Sequence, residues 1–237
     1  MCVGAHPDDL ALSIGGSILL WRKSAAVRLL TLFGRSRWCL PRYRHGVSEL
    51  SRERAAEEDR WRSAARVGGA VGDLPDSICR GLSAKEEVAG RRVEPALLAA
   101  AAEAIAAFAR PFRPDFTVLP LALGRHIDHI IVRDAGIASP RGLGRLVFYE
   151  DLPYAWRRPD IQRTARVIGA SLPVTVNVSR VLERKLALLS LYRSQLTFAH
   201  RWKVRAHAVD IAAGRGAAER LWSARDGHKL TVNLGCD

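Results

Sequence analysis

The chain has 237 residues, of which 48% are hydrophobic and 26% charged, and its formal net charge is +13. This composition is typical of a folded domain and excludes disordered and collagen-like chains. The longest apolar stretch, residues 97–109, falls short of the roughly 20 residues that span a bilayer, and no signal-peptide pattern precedes the first polar motif. We therefore expect one cytoplasmic domain over residues 1–237, with no membrane partner.

The positive charge first suggests a nucleic-acid partner, because basic side chains bind phosphates by displacing counterions. Here the charge is almost all arginine and is spread from Arg22 to Arg225 rather than clustered. This distribution favours compositional bias over a nucleic-acid-binding face. The four cysteines form no C-x-x-C pair, which excludes a zinc knuckle and favours free thiols over a disulfide framework.

Hydrophobic periodicity predicts strands that alternate with helices. In chain order, the predicted elements are a strand at 2–5, a helix at 9–23, a strand at 27–33, helices at 48–67 and 92–109, a strand at 116–119, a helix at 126–138, strands at 145–149, 165–168 and 174–178, a helix at 182–191 and a strand at 229–234. Gly15 and Gly16 weaken the first helix and indicate close packing on a sheet, while Gly68 and Gly69 mark the end of the second helix. The alternation predicts a Rossmann-like, doubly wound, mostly parallel sheet in three α/β/α layers.

Two polar motifs follow predicted parallel strands, at the carboxyl ends where such sheets bind ligands. The first is His6-Pro7-Asp8-Asp9 and the second is His126-Ile127-Asp128-His129. On a first helical turn, the two imidazoles of the second motif face the same way. Two histidines and a carboxylate form the ligand set of an open zinc site. Either motif alone is more typical of a turn or a helix cap, but together they predict a shared metal site.

The two motifs resemble the signature motifs of the PIG-L/LmbE-like zinc-dependent N-deacetylases. The resemblance continues in order through Ser13-Ile14-Gly15-Gly16 and the segments 148–155, 191–195 and 219–222. It implies an LmbE-like fold and an enzyme that removes an acetyl or similar acyl group from the amine of an amino sugar or glycoside. It also implies one Zn²⁺ per chain, although other divalent metals fit the same ligands.

The resemblance further implies a role for each motif residue. The zinc ligands would be His6, Asp9 and His129. Asp8 would be the general base for the water that zinc activates. His126 would stabilise the developing oxyanion or protonate the leaving amine. Asp128 would hold His126 in the required tautomer.

Two positions depart from the family's pattern. Many members have a glutamate after the Asp-Asp pair, where this chain has Leu10, and often a histidine where it has Tyr192. Leu10 removes no ligand, but the departure leaves open a metal-binding or nucleic-acid-associated protein that has lost catalysis. An amidase that acts on a thiol conjugate or another small amide is the other alternative.

The resemblance implies that substrate selection lies in loops between strands, namely residues 35–45, the segment around Asp76 and residues 150–156. The arginines of residues 35–45 could bind a phosphate or carboxylate on the substrate, since the guanidinium fork suits such groups, or they are simply solvated. The candidates are Arg35, Arg37 and Arg42. The expected partner is a small N-acylated sugar or glycoside; nucleic acid is not expected, and a homo-oligomer is compatible with the sequence.

Overall fold

A computed structural model describes residues 1–43, 46–88, 93–139 and 142–224, which contain a seven-stranded sheet. The strands are β1 (Cys2–Gly4), β2 (Arg28–Thr31), β3 (Gly68–Val71), β4 (Phe116–Pro120), β5 (Arg145–Tyr149), β6 (Leu172–Asn177) and β7 (Ala218–Ser223). The helices are α1 (Asp9–Trp21), α2 (Val47–Ala65), α3 (Ala84–Glu87), α4 (Pro95–Ala109), α5 (Ile127–Ala138), α6 (Ile161–Val167), α7 (Leu182–Leu188) and α8 (Phe198–Ile211). Within these ranges, no helix is both long and apolar enough to cross a membrane.

The order of strands across the sheet is β3-β2-β1-β4-β5-β7-β6. The first five are parallel, and β7 and β6 extend the β5 edge in antiparallel pairing. Helices α4 and α5 pack together, and α1, α2, α7 and α8 form a second packed group. This confirms the predicted doubly wound α/β fold. The chain reverses its direction across the sheet between β1 and β4, and sheets of this kind bind ligands at such a switch point.

Several predicted elements need correction. Residues 165–168 were predicted as a strand but lie at the end of α6, where Ile161, Ala165 and Ile168 are buried at helical spacing. Gly68 and Gly69 do not merely end a helix; they begin β3. A Cβ at Gly69 would lie 2.3 Å from the Leu29 carbonyl oxygen, so glycine permits the close approach of β3 to β2.

Three further elements, α3, α8 and β7, were not predicted. In α8 the apolar Phe198 and Trp202 are exposed, which obscures the buried stripe that contains Val204 and Ala208. In β7 two adjacent charged residues interrupt the apolar pattern. The predicted strand at 229–234 lies outside the described residues, as does residue 92, where the third helix was predicted to begin.

A buried ion pair supports α1 just after a kink at Ile14, where the backbone is not helical. The carboxylate of Glu219, on β7, accepts the backbone N–H groups of Gly16 and Ser17 at 2.9 and 2.7 Å. Lys185 of α7 donates to the same carboxylate at 2.7 Å and to the Ser13 carbonyl at 3.3 Å. A Cβ at Gly16 would lie 2.8 Å from the carboxylate, so this approach requires glycine. The close packing on the sheet predicted from the glycine pair is thus confirmed for Gly16, whereas Gly15 lies against Lys185 of α7 and Trp61 of α2.

Replacing Glu219 tests this support. We expect Glu219→Ala to lower the free energy of unfolding by about 3–5 kcal/mol, because it leaves the Lys185 ammonium buried without its partner. Chemical denaturation measures the change. The control is Glu183→Ala, which removes an exposed partner of Arg205 and should leave the unfolding midpoint nearly unchanged. Equal effects of the two substitutions would contradict the proposed support.

Candidate active site

Both sequence motifs meet at the switch point of the sheet. Residues 6–9 form the turn from β1 into α1, and residues 126–129 open α5 after β4. The ring centroid of His6 lies 5.0 Å from that of His126 and 5.4 Å from that of His129. The structure therefore brings the predicted residues together: His6, Asp8, Asp9, His126, Asp128 and His129.

Three of these side chains have donor atoms within 4.8 Å of one another, namely His6, Asp9 and His129. The Oδ2 atom of Asp9 lies 3.6 Å from Nδ1 of His6 and 3.4 Å from Nε2 of His129. Two imidazole nitrogens and a carboxylate oxygen suit Zn²⁺ with room for a further ligand. The donor atoms of His6, His126 and Asp128 also lie within 4.8 Å of one another. In this second group, however, the Asp128 carboxylate is occupied by other contacts.

The fully buried carboxylate of Asp128 holds His6. Its Oδ2 lies 3.0 Å from Nε2 of His6 and accepts the backbone N–H of Ser77 at 2.9 Å, while Oδ1 accepts a hydrogen bond from Arg80 at 2.8 Å. The resemblance assigned this side chain to His126, and the structure corrects that expectation. Because Nε2 of His6 is engaged by Asp128, Nδ1 is the nitrogen that remains for a metal.

His129 has a matching partner that the sequence reasoning did not assign. Asp151, fully buried just beyond β5, lies 2.7 Å from Nδ1 of His129 and accepts the Leu123 N–H at 3.1 Å. This contact leaves Nε2 directed at Asp9. The position of Asp151 in the sequence could have identified it as a site residue. It follows a third parallel strand, whose carboxyl end reaches the same crevice.

The buried carboxylates make this centre favourable for positive charge. Burial lowers the pKa of His6, but the hydrogen bonds and charges of Asp128 and Asp9 outweigh it and raise the pKa to about 10. The pKa of His129 also rises, since Asp9 and Asp151 outweigh its burial. Burial raises the pKa of Asp9, yet His129 and His6 hold it below its usual range. These residues fit a divalent cation, which would replace the protons on the imidazoles.

His126 is a neutral hydrogen-bond donor. It caps α5, and its Nδ1 accepts the backbone N–H of Asp128 at 3.2 Å, so the ring proton belongs on Nε2. Burial and the charges of His6 and His129 lower its pKa to about 3. Asp128 therefore does fix the tautomer of His126, but through its backbone. Of the two roles implied by the resemblance, oxyanion stabilisation fits this arrangement better than proton transfer.

Asp8 lines the cavity beside the three donor residues. It is the N-cap of α1, with φ of 107° in the left-handed region that favours glycine. Burial, followed by the charge of Asp9, raises the pKa of the Asp8 carboxyl well above its usual range. A carboxylate of raised basicity in this place can act as a proton acceptor.

Neither Arg35 nor Arg37 lines the cavity as the structure describes it. The Nε of Arg35 donates to the Asp73 carbonyl at 2.8 Å and lies 3.5 Å from the Asp73 carboxylate. Arg37 is exposed, and the side chain of Arg42 lies outside the described part of the structure. The cavity instead receives Arg54, a buried residue of α2 to which the sequence reasoning gave no role.

The cavity wall combines acidic and aromatic side chains with aliphatic ones. Its lining includes Trp38, Asp76, Glu87 and Tyr154. The ring of Tyr154 packs edge-on against His129, with centroids 5.5 Å apart. It fits beside Gly124, where a Cβ would lie 2.3 Å from the ring. These side chains are positioned to contact a substrate that binds next to the histidines.

Comparisons with known proteins identify relatives of the chain. The family model for PIG-L, GlcNAc-PI de-N-acetylase, matches residues 1–139. The chain is 34% identical over 251 residues to a 2'-N-acetylparomamine deacetylase of Streptomyces fradiae, a match that covers 94% of this chain and 88% of the relative.

Solved structures share the fold at lower identity. An A40926 pseudoaglycone deacetylase has a TM-score of 0.75 and 23% identity, with 98% of each chain covered. The zinc inhibited form of teicoplanin deacetylase has a TM-score of 0.74 and 21% identity, with 96% of this chain and 98% of that chain covered. At these identities the likeness establishes the fold alone.

The protonation state of His126 can be measured directly. We expect the ring to stay neutral, with its proton on Nε2, throughout the range from pH ~5 to ~8, since a lowered pKa means that the neutral form persists as the solution is acidified. Long-range nitrogen–proton NMR spectra of the imidazoles distinguish the two tautomers and the charged form. Protonation of His126 near its ordinary pKa, about 6.5, would contradict this assignment.

Proposed function

This chain belongs to the PIG-L family, and on that premise we propose that it is a zinc-dependent N-deacetylase that hydrolyses the amide of an N-acetylated amino sugar or glycoside. The observation that carries the proposal is the convergence of His6, Asp9 and His129, with the carboxylate of Asp8 lining the same cavity. The intact set of donor residues supports a working enzyme over a binding protein that has lost catalysis. Leu10 does not weaken it, because this side chain packs in the hydrophobic core.

The proposed metal ligands are Nδ1 of His6, Oδ2 of Asp9 and Nε2 of His129. A bound Zn²⁺ supplies Lewis acidity and makes water a nucleophile near neutral pH. We expect one ion per chain, and other divalent cations fit the same donors. Asp128 and Asp151 hold the two imidazoles so that these nitrogens converge.

Asp8 is the proposed general base. Its carboxylate takes a proton from the attacking water as the new C–O bond forms at the acyl carbon. The same proton then passes to the nitrogen of the amide as the C–N bond breaks, which releases a carboxylic acid and a free amine. The side chain of Asp8 lines the same cavity as the three donor residues, a place from which it can serve both steps.

His126 is the proposed donor to the acyl oxygen. Its Nε2–H is available because Nδ1 is occupied by the Asp128 backbone. A neutral donor that is already oriented stabilises the negative charge as it develops on the oxygen, and such a donor is worth about 100- to 1,000-fold in rate.

The cavity supports a neutral or cationic amino sugar rather than an anionic substrate. Asp76 and Glu87 contribute carboxylates to its wall beside Arg54, and neither Arg35 nor Arg37 lines it as described. The relative from Streptomyces fradiae acts on an N-acetylated paromamine. We propose a glycoside with an N-acetylglucosamine-like ring as the substrate class, and a cytoplasmic location remains a prediction.

The proposal is tested with the purified, zinc-loaded chain and a panel of N-acetylated amino sugars and glycosides. We expect release of acetate and of a free amine in equal amounts. Asp8→Ala should retain zinc and lose about 100- to 10,000-fold in kcat, because the base is removed but no ligand is. Metal analysis and an acetate assay provide the two measurements.

The control is Asp73→Asn, which alters an exposed carboxylate that does not line the described cavity. It should leave zinc content and kcat unchanged. Full turnover by Asp8→Ala would contradict the role of Asp8 as the base. Unchanged zinc content after replacement of His129 would contradict the proposed metal site.

A further inference from the structure

We propose that Glu58 and Tyr192 act as a positioning pair that holds Asp8 in its catalytic conformation. This inference rests on the proposed role of Asp8 as the general base. Neither residue lies in the two metal motifs.

Glu58 collects hydrogen bonds from three separate parts of the chain. Its Oε2 accepts the hydroxyl of Tyr192 at 2.6 Å and the backbone N–H of Asp8 at 3.3 Å. Its Oε1 lies 3.5 Å from the Thr31 hydroxyl at the end of β2. Glu58 and Tyr192 are only 2% and 1% exposed, so water cannot readily replace these contacts. The carboxylate is therefore fixed before it meets Asp8.

Asp8 needs such a partner because of its backbone conformation. At φ of 107° its backbone lies in a region that residues other than glycine rarely adopt. Such conformations persist only when surrounding contacts hold them. As the N-cap residue, Asp8 has no helical partner for its N–H. Glu58 accepts that N–H, which stabilises the turn that directs the Asp8 side chain to the cavity.

The neighbouring Glu57 performs a different task. Its carboxylate accepts the backbone N–H and the hydroxyl of Ser194 at 2.7 and 2.6 Å, and the side-chain amide of Gln195 at 3.0 Å. Glu57 therefore anchors the segment that follows Tyr192 without contacting Asp8. The attachment of this segment to α2 does not depend on Glu58 alone, which leaves the Tyr192 contact free to orient Glu58.

The test measures kcat, KM, zinc content and thermal stability in the full chain. We expect Glu58→Ala to lower kcat about 10- to 100-fold, as the loss of an orienting partner typically does, with KM and zinc content unchanged. Glu58→Gln keeps an oxygen that can accept the Asp8 N–H and should recover most of the activity. Tyr192→Phe removes only a hydroxyl and should lower kcat in the same direction, which provides a test if Glu58→Ala does not fold.

A matched control separates positioning from general loss of stability. Thr117 lies on β4, and Thr117→Val removes the buried hydrogen bond of 2.6 Å that its hydroxyl donates to the Leu143 carbonyl. It should lower Tm without lowering kcat. If the Glu58 and Tyr192 variants also lose Tm but retain kcat, the positioning role is overturned.

A double-mutant cycle with Asp8→Ala decides whether the effect passes through Asp8. When two residues act as one unit, removing the second adds little to removal of the first. We expect Glu58→Ala to cause no further loss of kcat in the Asp8→Ala background, and an equal loss in both backgrounds would overturn the inference. If Asp8→Ala alone keeps full turnover, the proposed base itself fails. If Asp8→Ala is inactive and Glu58→Ala is not, only the positioning role fails.

Discussion

The pairing of two buried carboxylates with two imidazoles is the interaction on which the site depends. Asp128 holds Nε2 of His6, and Asp151 holds Nδ1 of His129. A buried charge is costly unless it is paired and hydrogen-bonded. Each carboxylate meets this requirement with its imidazole and with further N–H groups, and the pairing fixes both rings. The nitrogens that remain are the ones that converge on Asp9.

The topology of the sheet explains how these groups meet. The motifs after β1 and β4 are far apart in sequence, but the strands are neighbours at the point where the strand order reverses. The adjacent β5 brings Asp151 to the same edge. On the other side of the crevice, α2 supplies Glu58 to the Asp8 turn. A parallel sheet thus gathers, at one edge, the candidate metal ligands and the residues that hold them, from separate segments of the chain.

The position of the site could be predicted from the sequence, because the ends of strands can be recognised there. Hydrophobic runs followed by His6 to Asp9 and His126 to His129 suffice to predict that the two motifs meet. The partner of Asp128 could not be predicted, since a carboxylate on a first helical turn can reach either histidine until the tertiary structure is known. The contact between Glu58 and Tyr192 could not be predicted either, because the two residues lie 134 positions apart and only the tertiary structure brings them together. The net charge of +13 was a poor guide, because the cavity itself is rich in carboxylates.

We propose that these carboxylates prepare the histidines for a metal, and the zinc affinity of Asp151→Asn tests this role most directly. Competition with a chelating dye should show binding about 10- to 100-fold weaker than in the wild type. Asp134→Asn is the control, since Asp134 is a buried aspartate of α5 that pairs with Arg133 instead. It should leave zinc affinity unchanged. An Asp151→Asn variant that binds zinc as tightly as the wild type would contradict the account.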